Sequence, residues 1–175
     1  MTYQYATKIF RAYGIIHTTL EDCGVQQYED QVCVPIRLEG RHIGWEYRRL
    51  PPYNGMKKSL HYRLEPRGLW AGSWCWGVKH GPVWLVEDVW SAIKVKQELG
   101  EQVISLMGTH ISQELAMWLR MNYSGPIYLA LDKDATQKAI DYVRKYSHIL
   151  PNLRPVFLSK DLKYLNVDQM LELIN

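Results

Sequence analysis

Hydrophobic and polar positions alternate with a regular order from about residue 81 onward. Short apolar runs of strand length are each followed by a segment of helical period. Strands separated by helices with short connections predict a parallel sheet with right-handed crossovers, and therefore an α/β fold. Asn166 and Gln169 form a predicted capping box for the last helix. The predicted strands are 83–86, 103–106, 127–131 and 155–158, and the predicted helices are 88–99, 112–122, 135–146 and 167–174.

The first 80 residues have a different pattern, with many aromatic side chains and shorter elements. Segments 31–38 and 41–47 have strand character and flank Glu39-Gly40, which predicts a β-hairpin. Short helices are predicted at 6–13 and 18–23. We therefore predict a small N-terminal α+β subdomain over residues 1–80 and an α/β domain over residues 81–175.

Composition narrows the class of protein. The chain has 175 residues and is 47% hydrophobic, so a sizeable core is available. It contains no apolar run of about 20 residues, the length that spans a bilayer, and its N-terminus lacks the apolar region of a signal peptide. The three cysteines form no C-x-x-C pair, which argues against disulfides and a zinc site. We expect a cytoplasmic protein with no membrane partner and no zinc.

Positive charge is concentrated in one segment. Residues 37–67 contain eight Lys or Arg and three Glu, a balance of +5, whereas the whole chain carries +3. The remainder is therefore −2. A basic segment of this kind suits an enzyme that handles polyanions, because cations hold phosphates. The alternative is a solvated hairpin face whose charges serve solubility.

Carboxylates end two of the predicted strands. Glu87 and Asp88 follow strand 83–86, and Asp132 and Asp134 follow strand 127–131. The carboxyl ends of parallel strands line the ligand crevice of such sheets, and hard carboxylate oxygens suit Mg²⁺ or Mn²⁺. Two structural alternatives remain open here. Glu87 could simply begin a helix, where the helix dipole favours it, and Asp134 could be only a helix N-cap.

Several segments together resemble the Toprim domain shared by DnaG-type primases, topoisomerases and several nucleases. The resemblance covers essentially the whole chain and is closest to primases encoded by phages and bacteria. It rests on these segments: 85–93 (LVEDVWSAI), 104–109 (ISLMGT), 131–134 (LDKD) and 158–161 (LSKD), with 34–37 (VPIR), 40–45 (GRHIGW) and 48–50 (RRL) upstream.

This resemblance implies a Toprim fold, a parallel sheet flanked by helices, behind a small basic N-terminal subdomain. It implies a primase that joins nucleoside triphosphates into short RNA primers on single-stranded DNA during replication. Glu87, Asp132 and Asp134 would be catalytic and would bind Mg²⁺ or Mn²⁺, as two ions, with Asp161 as a further metal ligand. If a phage encodes the protein, its location would be the host cytoplasm. A separate zinc-binding or helicase protein would be a partner. The implied nucleotide and nucleic-acid ligands are Arg48, Arg49, Lys57, Lys58 and Lys160.

The sequence also departs from that family's motifs. Asp88 stands in place of a glycine, Ser91 in place of an acid, and Leu162 and Lys163 in place of a proline and a second acid. Fewer carboxylates indicate a weaker second metal site, for which Asp88 could compensate. The zinc-binding module and a helicase P-loop are missing from this sequence. Two other functions therefore stay open: a Toprim nuclease or RNA-processing enzyme, and a degenerate Toprim protein that only binds nucleic acid or a partner.

Overall fold

The computed structural model describes residues 6–28, 31–38, 41–49, 54–57, 59–63, 74–76 and 81–175. These residues form two β-sheets with helices packed around them. Within this part of the chain, no helix combines the length and the apolar composition needed to cross a bilayer.

The first sheet is antiparallel and has four strands in chain order. Its strands are β1 (Gln26–Gln27), β2 (Gln31–Leu38), β3 (Arg41–Arg49) and β4 (Ser59–Arg63), and helices α1 (Ala6–Tyr13) and α2 (His17–Asp22) precede them. The predicted hairpin is confirmed as the pair β2 and β3, with β3 two residues longer than expected. The register between them shifts between Ile36 and Arg37, which is a β-bulge.

The second sheet has five strands and carries the predicted α/β pattern. Its strands are β5 (Trp74–Trp76), β6 (Val83–Val86), β7 (Gln102–Ser105), β8 (Ile127–Ala130) and β9 (Leu153–Pro155), in the order β5-β7-β6-β8-β9. The pairs β6–β7, β6–β8 and β8–β9 are parallel, as predicted. Strand β5, which precedes residue 80, adds an antiparallel edge beside β7.

Strand β9 begins two residues earlier than predicted. The apolar residues that suggested 155–158, Val156 and Leu158, are buried but follow the strand rather than forming it. The Val156 amide still donates to the Leu129 carbonyl at 2.9 Å, so the chain leaves the sheet only after that point. The apolar pattern therefore predicted the buried segment correctly but placed the strand two residues too late at its start and three too late at its end.

Four helices alternate with the strands of the second sheet. They are α3 (Val89–Leu99), α4 (Gln113–Asn122), α5 (Thr136–Tyr146) and α6 (Val167–Glu172), and two 3-10 turns lie at Lys133–Ala135 and Leu162–Tyr164. Their ends follow local chemistry. Ser112 accepts a bond from the Leu115 amide, and the predicted capping box between Asn166 and Gln169 is present.

Both faces of β6 are buried, which explains why this strand is continuously apolar. Trp84 and Val86 of β6 point into a core cluster with Trp90 of α3, whereas Val83 and Leu85 point into the opposite cluster with α4. The first cluster also contains Val32 and Val34 of β2 and Phe10 of α1. The N-terminal elements therefore share a hydrophobic core with one face of the parallel sheet.

Candidate active site

Glu87 and Asp132 lie side by side at the carboxyl edge of the parallel sheet. Strands β6 and β8 are parallel neighbours with Val86 opposite Ala130, so the residues that leave each strand emerge together. The Asp132 backbone amide faces the Glu87 carboxylate at 3.4 Å. The loop after β7 also closes on this edge, because the Gly108 amide donates to the Glu87 carbonyl at 2.9 Å.

Helix capping does not account for Glu87 or Asp134. The N-cap of α3 is Asp88, whose side chain accepts from the Ser91 amide at 2.7 Å, and Glu87 precedes that helix. The N-cap of α5 is Ala135, and the N-cap of the 3-10 turn before it is Asp132. Neither side chain makes a capping hydrogen bond. Asp134 is exposed on the 3-10 turn before α5, and its charge acts on Glu87.

Lys163 lies among the acidic side chains, and sequence reasoning recorded it only as a departure from a motif. Its ammonium Nζ is 2.7 Å from the Asp88 carboxylate, 3.1 Å from Asp161 and 3.8 Å from Asp132. Its side chain is only 9% exposed. Predicted site residues Asp132 and Asp161 are therefore brought together around a lysine that the prediction did not include.

Burial and mutual repulsion shape the charges of this cluster. Burial raises the pKa of Asp132 to about 6, Lys163 opposes that rise, and the charges of Asp88, Asp161 and Glu87 add to it. Burial also raises the pKa of Glu87, which the bond from the Asp132 amide counteracts. Burial alone would lower the pKa of Lys163, but attraction and hydrogen bonding to Asp88 and the other acids raise it above its usual range. Lys163 therefore carries a full positive charge at neutral pH.

The carboxylates of this cluster have donor chemistry that suits a hard divalent cation. Among the described residues, no group of three or more His, Cys, Asp or Glu side chains is arranged to hold a metal ion. The Lys163 ammonium already neutralises part of the cluster. The carboxylates that make no ion pair with Lys163 within 4 Å are those of Glu87 and Asp134, and carboxylate oxygens of this kind are typical Mg²⁺ ligands.

The basic residues predicted to bind phosphates divide between two places. Arg48 donates to the Ser59 hydroxyl at 3.2 Å, and Arg49 donates to the Lys57 carbonyl at 3.1 Å. Successive strand residues face opposite sides, so Arg48 and Arg49 point away from each other. Lys57 is exposed, and Lys58 lies outside the described residues. Lys160 is exposed in the loop beside Asp161.

Glu46 is a buried carboxylate of the first sheet on which the charge of Asp88 acts, and the sequence analysis did not single it out. It lies on β3, is 3% exposed and has its pKa raised to about 7, first by burial and then by the charge of Asp88. Arg48 and a hydrogen bond with Ser59 oppose that rise. The available signal was a carboxylate between two aromatic residues, Trp45 and Tyr47, in a predicted strand. Glu46 and Arg48 are two residues apart and therefore lie on the same face of β3. This is the face on which the charge of Asp88 acts.

Comparison with known proteins supports the fold more strongly than it supports any family. The sequence matches no protein-family model and no curated protein. The fold is similar to that of the DnaG catalytic core, with a TM-score of 0.67 and 15% identity, covering 95% of this chain and 67% of that one.

Two further solved structures are similar. The Aquifex aeolicus primase structure, which contains zinc-binding and RNA polymerase domains, gives a TM-score of 0.65 at 19% identity and covers 99% of this chain. A DnaG primase catalytic domain bound to single-stranded DNA gives 0.62 at 17% identity and covers 95% of this chain. This chain spans about half of the Aquifex aeolicus structure, 49%, and 61% of the DNA-bound one. It therefore has the mixed α/β fold of the DnaG primase catalytic core, a parallel sheet flanked by helices.

Proposed function

We propose that this chain is the catalytic core of a primase-type nucleotidyltransferase, with residues 81–175 as a Toprim domain. It joins nucleoside triphosphates into short RNA primers on a single-stranded DNA template. The observation that carries the proposal is the meeting of Glu87 and Asp132 at the carboxyl edge of a DnaG-like sheet. Acids on neighbouring parallel strands lie where such sheets bind ligands.

In this proposal Glu87, Asp132 and Asp134 hold a divalent cation, Mg²⁺ or Mn²⁺. That ion, when bound, supplies positive charge against the phosphate oxygens. Two features of the chain support the assignment. The Asp132 amide and the Glu87 carboxylate face each other at 3.4 Å, and Asp134 is exposed on the adjoining turn, where an incoming ligand can reach it.

The basic residues of the first sheet hold the nucleic acid or the triphosphate. Arg48 is the strongest candidate for a phosphate ligand. It lies on the same face of β3 as Glu46, whose pKa the charge of Asp88 raises. Arg49, Lys57, Lys58 and Lys160 would add further phosphate contacts. Binding of single-stranded DNA is consistent with the similarity to a DnaG domain solved with that ligand. A cytoplasmic location, replication of bacterial or phage DNA, and a separate zinc-binding or helicase protein complete the proposal.

One observation favours a second candidate function. Lys163 bridges three carboxylates, and a site whose acids are neutralised by a lysine suits a degenerate Toprim protein that binds nucleic acid without catalysis. A Toprim nuclease would use the same acidic residues to hydrolyse nucleic acid, so the assay must also detect cleavage of the DNA.

The deciding assay incubates the protein with single-stranded DNA, all four nucleoside triphosphates and Mn²⁺. Newly made oligonucleotides and cleaved DNA are measured separately. We expect synthesis, loss of synthesis in Asp132→Asn, and retention in Asp141→Asn, which makes the same chemical change on the exposed surface of α5. Cleavage without synthesis would establish the nuclease. DNA binding without either reaction would establish the degenerate protein and refute the proposal.

A further inference from the structure

The Lys163 ammonium is centred among three carboxylates that lie far apart in sequence. It is within 3.1 Å of Asp88 and Asp161 and at 3.8 Å from Asp132. Mg²⁺ and Mn²⁺ would seek the same oxygens, since such ions hold carboxylates at about 2.0–2.2 Å. An ion bound by these three acids would lie almost in contact with the ammonium, and two cations at that separation repel strongly.

The fold holds the lysine in this position. Lys163 is the middle residue of the 3-10 turn Leu162–Tyr164, and its neighbours Leu162 and Leu165 are buried in the core beside α3. The Lys163 side chain is 9% exposed, so its stem is packed along its length. Moving the ammonium out of the cluster would require unpacking of this turn, and displacement by an incoming ion is therefore costly.

Asp132 separates two parts of the cluster. Its carboxylate faces Lys163 at 3.8 Å, while its backbone amide faces Glu87. On the Glu87 side, the Asp134 carboxylate is exposed and its charge reaches Glu87. One part thus has carboxylates that make no ion pair with Lys163 within 4 Å, and the other part already contains a cation.

We propose that Lys163 is a built-in cation that excludes a divalent ion from the space between Asp88, Asp132 and Asp161. The site then binds one divalent ion rather than two. That ion is held by Glu87, Asp134 and Oδ1 of Asp132, the carboxylate oxygen of Asp132 that is not paired with Lys163. This inference rests on the proposed function for the identity of the remaining ion. Lys163 is a positioning residue, because it acts through the carboxylates that it holds.

The test counts bound Mn²⁺ on the full chain by electron paramagnetic resonance of free Mn²⁺ during titration, at fixed pH. We expect one ion for the parent, one for Lys163→Arg, which keeps the charge, and two for Lys163→Gln. Lys145→Gln, which removes an exposed charge at the end of α5, should leave the count at one. A lysine with a purely structural role would affect melting temperature without raising the ion count.

Several outcomes would overturn the inference. Two ions in the parent would do so without any variant, which keeps the proposal testable if Lys163→Gln fails to fold. Equal counts in the parent and a folded Lys163→Gln would also do so. Primer synthesis is measured on the same parent sample. If the parent makes primers and both proteins bind the same number of ions, only this inference is refuted. If Lys163→Gln gains an ion but the parent makes no primers, only the proposed function is refuted.

Discussion

Replacement of Glu46 by Gln should reveal a carboxylate that opposes folding at neutral pH. Glu46 lies on β3 with 3% of its surface exposed, and its pKa is raised from 4.5 to about 7. Burial is the main cause, and the charge of Asp88 adds to it. Gln has nearly the same shape and keeps a hydrogen-bonding side chain, but it carries no charge at any pH.

The sign follows from proton linkage. The folded state binds the Glu46 proton more tightly than the unfolded state does, so its contribution to stability is complete below pH 4.5 and is lost as the pH rises through 7. The rise in the pKa of Glu46 from 4.5 to about 7 corresponds to about 3 kcal/mol in total, because a tenfold change in proton affinity is worth about 1.4 kcal/mol. Most of this change, about 2 to 3 kcal/mol, falls between pH 5 and pH 8.

The assay is urea unfolding of the parent and Glu46→Gln at pH 5, 6, 7 and 8. The free energy of unfolding of the variant, relative to the parent, should rise by about 2 to 3 kcal/mol across that range. Glu98→Gln is a control whose effect should not depend on pH in this range. Burial would raise the pKa of Glu98, but bonds from Lys94 and Gln97 outweigh burial and lower it below 4.5. Its stabilising charge is therefore present throughout, and this variant should be less stable than the parent by a nearly constant amount from pH 5 to 8.

A difference between Glu46→Gln and the parent that stays constant from pH 5 to 8 would refute the reasoning. It would mean that Glu46 is solvated or fully paired in the folded protein. The same constant difference is expected if Arg48 controls the charge of Glu46 more strongly than burial and Asp88 do, because a pKa below 4.5 titrates outside this range.

Three further predictions concern the site, the basic residues and the fold. Asp132→Asn should abolish primer synthesis while its melting temperature equals or exceeds that of the parent, and Mn²⁺ should raise the melting temperature of the parent far more than that of the variant. Binding of single-stranded DNA, measured by fluorescence anisotropy, should weaken with salt, and Arg48→Ala should reduce the log–log slope by about 0.7; a slope unchanged by the substitution would count against an Arg48 phosphate contact. Gly125→Ala should destabilise the protein in urea by about 1–3 kcal/mol, because its Cβ would lie 2.6 Å from the Gly81 carbonyl oxygen, and Ser124→Ala should have little effect.

Much of the fold could be predicted because its signals are local. Strand β6 is buried on both faces, so its apolar run was visible in the sequence, and the capping box at Asn166 and Gln169 involves residues only three apart. Strand β5 was not predicted. Its place on the edge of the second sheet depends on antiparallel pairing with β7, whose residues lie about 30 positions away in sequence, and no local pattern encodes that choice.

The same distinction between local signals and long-range contacts applies to the candidate site. The neighbouring positions of Glu87 and Asp132 followed from parallel strands whose ends meet at one edge. Lys163 and Glu46 could not be located in this way. Lys163 pairs with Asp88, and the charge of Asp88 acts on Glu46, between elements that are far apart in sequence. Resemblance to a family assigned Asp161 as a metal ligand, whereas the geometry pairs its carboxylate with Lys163.

Two of the three departures from the Toprim motifs that change charge, those at residues 88 and 163, lie in contact and compensate each other. Asp88 adds a carboxylate to a crowded acidic edge, which alone would increase repulsion, and Lys163 replaces an acid with a buried base, which alone would lack a partner. Together they form a 2.7 Å ion pair, while Asp88 also caps α3 through the Ser91 amide. The charge of Asp88 also acts on Glu46, on β3. The Asp88 carboxylate thus caps α3, pairs with the buried Lys163 and acts on the β2–β3 hairpin. These interactions are a physical reason for the two changes to occur in the same chain.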